Sequence, residues 1–270
     1  MESELQALFD GCPLCGGRSD YVGQAPCTSH ALWHEPLPEV IEWMKCVQCG
    51  HVHTQKYWTP LGLREVFKNA HAGQLAGGDP DHNRSVWAPV VSRAIHVSGG
   101  FPGLMARDIK PVWLDVGCGS GALAMTAADF GYDSIGLDAR LAAVERIASL
   151  GFKARHGDFI EVDFDAESVE VVSMMDILEH IPYPRSALDH ARRVLKAGGL
   201  LIVSAPDLQA SSWRMMDQVH GNPYWMEIEH HHNFSRDLIF SLLKEHGFSI
   251  DDFAVPYRYR AQMEIYARKT

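Results

Sequence analysis

A chain of 270 residues, 46% of them hydrophobic, is long enough for one large domain with a small appendage and a substantial core. The formal net charge of −10 repels phosphate backbones, so we expect no nucleic-acid partner. No apolar run has the length of a membrane span, and the acidic residues 1–4 lack the positive charge of a signal peptide. We therefore expect a cytoplasmic protein with no membrane partner.

Two C-x-x-C motifs mark the N-terminal region, Cys12 with Cys15 and Cys46 with Cys49, and each is followed by glycine. Two such turns can place four thiolates tetrahedrally around one Zn²⁺, so we predict a structural zinc-ribbon module over residues 1–58. Redox dithiols or unconnected buried cysteines are the alternatives. One cysteine and four histidines nearby are interpreted as surplus to the site: Cys27, His30, His34, His51 and His53.

The charge of this module bears on its role, because zinc ribbons often bind nucleic acid. Residues 1–58 contain three positive side chains against seven acidic ones. An acidic surface favours a structural or substrate-shaping role over an RNA-binding one.

Strands and helices are expected to alternate through most of the remaining chain. Residues 59–110 are interpreted as connecting helices or a lid, with helices over 61–70 and 83–97. Beyond residue 110 the strands are predicted over 112–116, 134–137, 153–156, 169–174, 200–204, 248–255 and 262–268. Helices are predicted over 121–130, 140–150, 185–195 and 235–246. This alternation predicts an α/β fold, a parallel sheet covered on both faces.

The first of these strands ends at an acid and leads into three alternating glycines, Gly117, Gly119 and Gly121. Such a turn lets a nucleotide-type cofactor lie against the backbone at the carboxyl end of a strand. The turn also satisfies a relaxed dinucleotide fingerprint, with Asp138 at the ribose-binding distance. Asp115 argues against a pyrophosphate there and suits a cofactor that carries an ammonium group. Only about 130 residues follow Asp138, too few for a separate dehydrogenase domain.

Residues 114–121 (Leu-Asp-Val-Gly-Cys-Gly-Ser-Gly) resemble motif I of class I S-adenosylmethionine (SAM)-dependent methyltransferases, and Asp138, residues 158–159 and residues 195–199 resemble their later motifs. The resemblance implies a Rossmann-like seven-stranded sheet whose last strand is antiparallel. It implies that Asp115 and the glycine turn serve the methionine portion, Asp138 the ribose, and Asp158 and Phe159 the adenine. The expected SAM-binding residues are Asp115, Gly117, Cys118, Gly119, Gly121, Asp138, Ala139, Asp158, Phe159 and Met175.

Methyl transfer to a hydroxyl or an acidic carbon needs a positioned nucleophile and removal of its proton. His180 follows the fourth strand and is a candidate base, with a backbone-bonded histidine as the alternative. Glu229 and His230 precede the last large helix, where they form a carboxylate–imidazole pair or a polar cavity wall. A metal site made with His232 is a further alternative. Three consecutive histidines in a strand cannot all face one ion, because side chains alternate.

The ribbon, the histidine after the fourth strand and the pattern Glu-His-x-x-x-Phe-Ser at 229–235 resemble sugar C-methyltransferases of deoxysugar biosynthesis. The resemblance implies that His180, Glu229 and His230 belong to the active site. Two features depart from that family. Glu227 stands in place of its tyrosine, and the sequence ends where the family has a large C-terminal domain. We therefore expect O-methylation of a small polar acceptor, a sugar, nucleotide sugar or other hydroxylated metabolite, with C-methylation as the less favoured outcome.

Residues 211–226 are predicted to cover the acceptor, with their aromatic residues and Arg214 either holding an anionic group or forming the core of a lid helix. Two other functions stay open. One is a protein or RNA methyltransferase that docks through its ribbon, and the other is a scaffold that binds SAM or zinc without catalysis.

Overall fold

The computed structural model describes residues 2–68, 80–100, 109–256, 258–259 and 261–270. The N-terminal region contains α1 (Glu2–Leu5), β1 (Gln6–Leu8), β2 (Ser19–Pro26), β3 (Val40–Cys46), β4 (Val52–Thr54), β5 (Lys56–Trp58) and α2 (Pro60–Val66). The rest contains α3 (Pro80–Val97), β6 (Val112–Val116), α4 (Ala122–Asp129), β7 (Asp133–Asp138), α5 (Leu141–Ser149), β8 (Lys153–His156), β9 (Val169–Met175), α6 (Pro184–Val194), β10 (Leu195–Pro206), α7 (Ser211–Gln218), β11 (His232–Asn233), α8 (Arg236–Glu245), β12 (Phe248–Ala254) and β13 (Gln262–Lys269). Short 3₁₀ turns span Leu178–His180 and Pro223–Trp225. Within the described ranges, no helix combines the length and the apolar character that a membrane crossing requires.

Seven strands form the central sheet in the order β12-β13-β10-β9-β6-β7-β8. β6 pairs in parallel with β7 and β9, whereas β13 runs antiparallel to β10. This arrangement confirms the predicted Rossmann-like sheet with an antiparallel last strand. The predicted helix over 61–70 ends at Val66, and its last two residues lie outside the described part of the chain.

Alternate residues of the central strands point to opposite faces of the sheet, which explains its two cores. Trp113 belongs to a core cluster with helices α3 and α4, and Leu114 belongs to another with α6 and α8. Helix α8 begins at Arg236, one residue after the predicted start, and the Ser235 hydroxyl caps it by accepting the backbone N–H of Leu238 at 3.3 Å.

The N-terminal sheet is completed by a strand from the far end of the chain. Its order is β11-β4-β3-β2, and β11 pairs antiparallel with β4 through His232 opposite His53. The indole N–H groups of Trp43 and Trp58 donate to the carbonyls of Trp225 and Ile228, at 3.0 and 2.7 Å. The N-terminal region, residues 2–58, which is called the ribbon below, is therefore joined to the rest of the protein by backbone pairing as well as by side chains.

Candidate active site

The glycine turn after β6 has the backbone conformation that its sequence predicts. Gly117, Gly119 and Gly121 have φ values of 67°, 52° and 78°, in the left-handed region that side chains disfavour. A Cβ on Gly117 would overlap the side chain of Ile177, and one on Gly121 would lie 2.7 Å from Ile147. Only glycine therefore fits these two positions, and the turn leaves its backbone open at the carboxyl edge of the sheet.

Asp115, at the end of β6, is a buried carboxylate with a chain of donors behind it. The Ser173 hydroxyl donates to its Oδ1 at 2.8 Å, and the Trp113 indole N–H donates to that hydroxyl, also at 2.8 Å. Burial raises the pKa of Asp115 to about 7, against the lowering effect of the Ser173 hydrogen bond, and the charge of nearby Asp138 adds to the rise. A cationic group placed beside this side chain would stabilise its ionised form.

Asp138, at the end of β7, is already held by the protein. Its Oδ2 accepts the Gly119 backbone N–H at 2.9 Å, and its Oδ1 accepts both the backbone N–H and the Nε–H of Arg140 at 2.9 Å. Burial acts to raise the pKa of Asp138, but the Arg140 guanidinium and these hydrogen bonds together lower it. Both oxygens thus have donors within the protein, so a ribose at this carboxylate would have to share it with Arg140 or displace that side chain.

The other expected cofactor residues differ in how open they are. Asp158 is exposed and accepts the Ile160 backbone N–H at 2.9 Å, and Ala139 is also exposed. Phe159 is buried, with its ring edge-on to His190 at a centroid distance of 4.6 Å. Cys118 and Met175 are buried as well. In this conformation the Phe159 ring belongs to the core below the turn, so its backbone is better placed than its ring to meet an adenine.

Beyond β9 the chain brings polar groups toward the same edge of the sheet. Asp176 has a left-handed φ of 59°, and its Oδ1 accepts the Ser204 hydroxyl at 2.6 Å and the Gln262 amide at 2.9 Å. A non-glycine residue in this region is strained, and here the hydrogen bonds on its carboxylate hold it in place.

The predicted catalytic histidines lie together. The rings of His180 and His230 meet edge to face with centroids 4.7 Å apart. The His180 Nδ1–H donates to the Glu229 carbonyl at 3.2 Å, which leaves Nε2 as the nitrogen with a free lone pair. Burial lowers the pKa of His180 to about 4, so its ring is neutral near pH 7.

Of the three consecutive histidines, only His230 contacts His180 in this way. His232 lies in β11, where its Nδ1 is 3.0 Å from Nε2 of His51 in the ribbon. The backbone of His231 joins the two regions, because its N–H donates to the Glu179 carbonyl at 2.7 Å and its carbonyl accepts the Thr54 N–H at 2.9 Å. The three histidines thus have different surroundings, although only His232 of the three lies in a strand.

Glu229 lies beside a histidine that the sequence interpretation treated as surplus. Nε2 of His30, in the ribbon, is 2.8 Å from a carboxylate oxygen of Glu227 and 3.5 Å from one of Glu229. Burial raises the pKa of Glu229 to about 7, although the charge of His30 opposes the rise. The hydrogen bond to Glu227 raises the pKa of His30.

Sequence reasoning missed three residues of this region: His30, Arg140 and Glu179. The first reaches a partner 197 positions away, a separation at which no local pattern gives a signal. Arg140 follows Asp138 by two residues, close enough to suggest the contact. Glu179 precedes the predicted base, and its complete burial was the unexpected feature.

The four cysteines of the two C-x-x-C motifs, Cys12, Cys15, Cys46 and Cys49, lie close together. Their sulfur atoms lie 3.7 Å apart for Cys12 and Cys49, 3.4 Å for Cys15 and Cys46, and 3.5 Å for Cys15 and Cys49. Four thiolates around a tetrahedral zinc, with bonds of about 2.3 Å, lie about 3.8 Å from one another. Gly16 and Gly50, the glycines that follow the two C-x-x-C motifs, have left-handed φ values of 70° and 72°. The donor set and its spacing therefore fit a Cys₄ metal centre.

The segment predicted to cover the acceptor packs on itself. Trp213 of α7 is buried and stacks on Tyr224 with centroids 5.1 Å apart, while Trp225 contacts both Trp213 and Trp43 of the ribbon. Arg214 is exposed. The aromatic residues of this segment thus pack into a small core of their own.

Comparison with known proteins agrees with this geometry. The chain is 33% identical over 130 residues to a ubiquinone biosynthesis O-methyltransferase of Pectobacterium atrosepticum, covering 44% of this chain and 51% of that protein. It is 33% identical over 129 residues to the protein of the same name from Photobacterium profundum, covering 45% and 53%. The chain thus spans about half the length of these curated relatives.

Solved structures share the fold. Magnesium protoporphyrin IX methyltransferase of Synechocystis PCC 6803 aligns with a TM-score of 0.55 and 17% identity, over 70% of this chain and 84% of that one. A SAM-dependent methyltransferase of Clostridium acetobutylicum aligns with a TM-score of 0.52 and 11% identity, over 69% and 92%. A family profile described as "Methyltransferase domain" matches residues 82–252, more than half of the chain. The protein belongs to this family and carries a class I SAM-dependent methyltransferase domain.

Proposed function

We propose that the protein transfers a methyl group from SAM to a hydroxyl of a small polar acceptor. The supporting observation is the juxtaposition at one sheet edge of an open glycine turn, two buried carboxylates and a cluster of histidines and glutamates. The relatives named as O-methyltransferases favour oxygen as the atom methylated. A sugar or nucleotide sugar stays within this acceptor class, as the resemblance of residues 229–235 implies.

The cofactor residues are assigned roles by their positions. Asp115 would meet the ammonium of the methionine portion, because it is a buried acid directly before the turn. Asp138 would accept the ribose hydroxyls, with Arg140 releasing one or both oxygens, and Asp158 would accept the adenine amine. Gly117, Cys118, Gly119, Gly121, Ala139 and Met175 would line the remaining surface, and the backbone of Phe159 would meet the adenine ring.

The protein's contribution to the reaction is to position the acceptor and handle its proton. SAM supplies an electrophilic methyl group on a sulfonium. Methyl transfer is an in-line displacement, so the acceptor oxygen has to be held on the side of the methyl away from the sulfur. His180 and His230 lie where they can hold the hydroxyl, and Glu229 is the adjacent group that can accept its proton. His30 in turn places a donor at the Glu227–Glu229 pair.

We also propose that Cys12, Cys15, Cys46 and Cys49 hold one structural Zn²⁺, and that 1–58, 59–110 and 111–270 are the ribbon, the connecting region and the methyltransferase domain. The sulfur spacing supports the zinc site. A structural role fits its place on the ribbon, since Cys12 and Cys46 also pack in the core of the central sheet.

The test measures methyl transfer directly. Radiolabelled SAM is incubated with the protein and with separate panels of phenolic hydroxyls, sugar hydroxyls, peptides and RNA. We expect label in a hydroxyl compound, and strong loss in Glu229→Gln and His230→Gln but not in His96→Gln, an exposed histidine at the end of α3. Label in peptide or RNA alone would favour the docking alternative. Tight SAM binding without transfer to any acceptor would favour the scaffold, and tight NADH binding without SAM binding would refute the proposal.

A further inference from the structure

Glu179 is a fully buried carboxylate with no partner. Its exposed fraction is 0%, and neither carboxylate oxygen has a hydrogen-bond partner among the described residues. His230 is 8% exposed, and its Nδ1 atom also has no hydrogen-bond partner among the described residues. An acid buried without donors is strongly disfavoured in its ionised form, so native structures usually pair such a group with a cation or a hydrogen-bond donor.

Three side chains of this region bring possible ligand atoms close together. One ligand atom each from Glu179, His180 and His230 lies within 4.8 Å of the others. The hydrogen bond from His180 Nδ1–H to the Glu229 carbonyl fixes that ring and directs Nε2 away from the backbone. Ligating histidines in metal sites are typically held in this way, by donating their other N–H to a carbonyl or carboxylate.

We propose that Glu179, His180 and His230 bind a divalent first-row transition metal ion, separate from the Cys₄ centre. Two imidazoles and one carboxylate are a donor set that suits Zn²⁺, Mn²⁺ or Fe²⁺ and disfavours Ca²⁺. Ligand atoms around a tetrahedral ion with bonds of about 2.1 Å lie about 3.4 Å apart, so atoms at the 4.8 Å limit would have to draw together by up to about 1.4 Å. Three protein ligands leave coordination positions open for water or another oxygen ligand.

The site has a direct use if the proposed function holds. An acceptor hydroxyl at an open position would lose its proton more readily, because the cation stabilises the alkoxide. The O–H proton would pass to the Glu229 carboxylate, the oxygen would form the new bond to the methyl carbon, and the carbon–sulfur bond would break to leave S-adenosylhomocysteine. His180 and His230 would then hold the hydroxyl through the metal instead of directly, and Glu229 would remain the proton acceptor.

Mn²⁺ is the probe, because its paramagnetic resonance signal is lost on binding and it does not displace zinc from thiolates. Zinc-loaded protein is titrated with Mn²⁺. We expect one Mn²⁺ bound per chain, and a loss of affinity of at least about tenfold in Glu179→Gln and His180→Gln. Circular dichroism checks that each variant is folded, and His180→Gln, at a partly buried position, provides a second test if Glu179→Gln does not fold.

His30→Gln is the control, since His30, Glu227 and Glu229 form a neighbouring group of one imidazole and two carboxylates that could also hold a metal ion. Unchanged Mn²⁺ binding in His30→Gln supports the proposal. No binding by the wild type, or binding that requires His30 and not Glu179, would overturn it. Methyl transfer that continues in the presence of a chelator, with the Cys₄ zinc retained, would remove the metal from the reaction and leave the proposed function intact. Metal binding by a protein that methylates no acceptor would support the metal site and count against the proposed function.

Discussion

Replacing Asp115 with asparagine tests the electrostatics of the cofactor site. Burial raises the pKa of this carboxyl from 3.8 to about 7. A group whose pKa is raised in the folded state holds its proton more tightly there, so ionisation opposes folding. The penalty is absent at pH values below the unfolded pKa, grows as the pH rises from about 4 to 7 and is complete above 7. At about 1.4 kcal/mol for each pH unit, it amounts to about 4 kcal/mol.

Asp115→Asn removes this penalty and leaves a buried amide whose N–H groups lack acceptors, at a cost of about 1–3 kcal/mol that does not depend on pH. The difference in the free energy of unfolding between the variant and the wild type should therefore rise by about 2.5 kcal/mol between pH 5 and pH 8. Urea denaturation of the protein without SAM, at four pH values in this range, measures that difference. The side chain of Asp163 is 97% exposed, so Asp163→Asn, which removes a carboxylate that folding does not bury, is the control.

The same variant should bind SAM more weakly, since it loses a charged hydrogen bond to the ammonium group. The expected loss is about tenfold to a hundredfold, measured by calorimetry at pH 8. A stability difference that does not change with pH would refute the assignment of a raised pKa. Unchanged SAM affinity would show that the carboxylate does not contact the cofactor.

Three further predictions concern the turn, the ribbon and the joint between the ribbon and the catalytic domain. Gly117→Ala should abolish SAM binding in calorimetry, because its Cβ would overlap Ile177. The control is Gly151→Ala, since Gly151 has a positive φ of 85° and open space around it. This control should bind SAM normally and lose only about 1–2 kcal/mol of stability. Metal analysis should find about one zinc per chain, and Cys46→Ser should lose it and unfold at a lower temperature, because metal binding and folding are coupled. Trp58→Phe removes the donor to the Ile228 carbonyl and should lower the free energy of unfolding by about 1–2 kcal/mol in urea, while SAM affinity stays the same.

Much of the fold could be predicted because its signals are local. Buried parallel strands appear in the sequence as short apolar runs, and β6 begins and ends where the sequence places it. β8 also has its predicted bounds, although three of its four residues are exposed. Other bounds shift by a few residues, most of all for β10, which begins at Leu195 instead of at residue 200. Asp115 and Asp138 could be placed at strand ends for the same reason, since each closes an apolar run.

The rest depends on contacts that no window of sequence contains. β11 has two residues, too few to show a period, and it forms only because β4 offers it an edge. The contact of His30 with Glu227 and the burial of Phe159 depend likewise on how distant segments pack. Glu179 precedes a predicted site residue, but burial with no partner is a property of the folded surroundings and has no pattern in the chain.

The shared strand β11 makes this protein a poor subject for domain exchange. Strand β11 begins two residues after His230 and lies against the ribbon. A chimera that replaced the first 58 residues would remove the edge on which this segment rests, and a truncation would expose two backbone groups that pair with β4. In engineered variants the ribbon and residues 227–235 would then determine the acceptor preference together. A sequence taken from another protein would have to replace both of them at once.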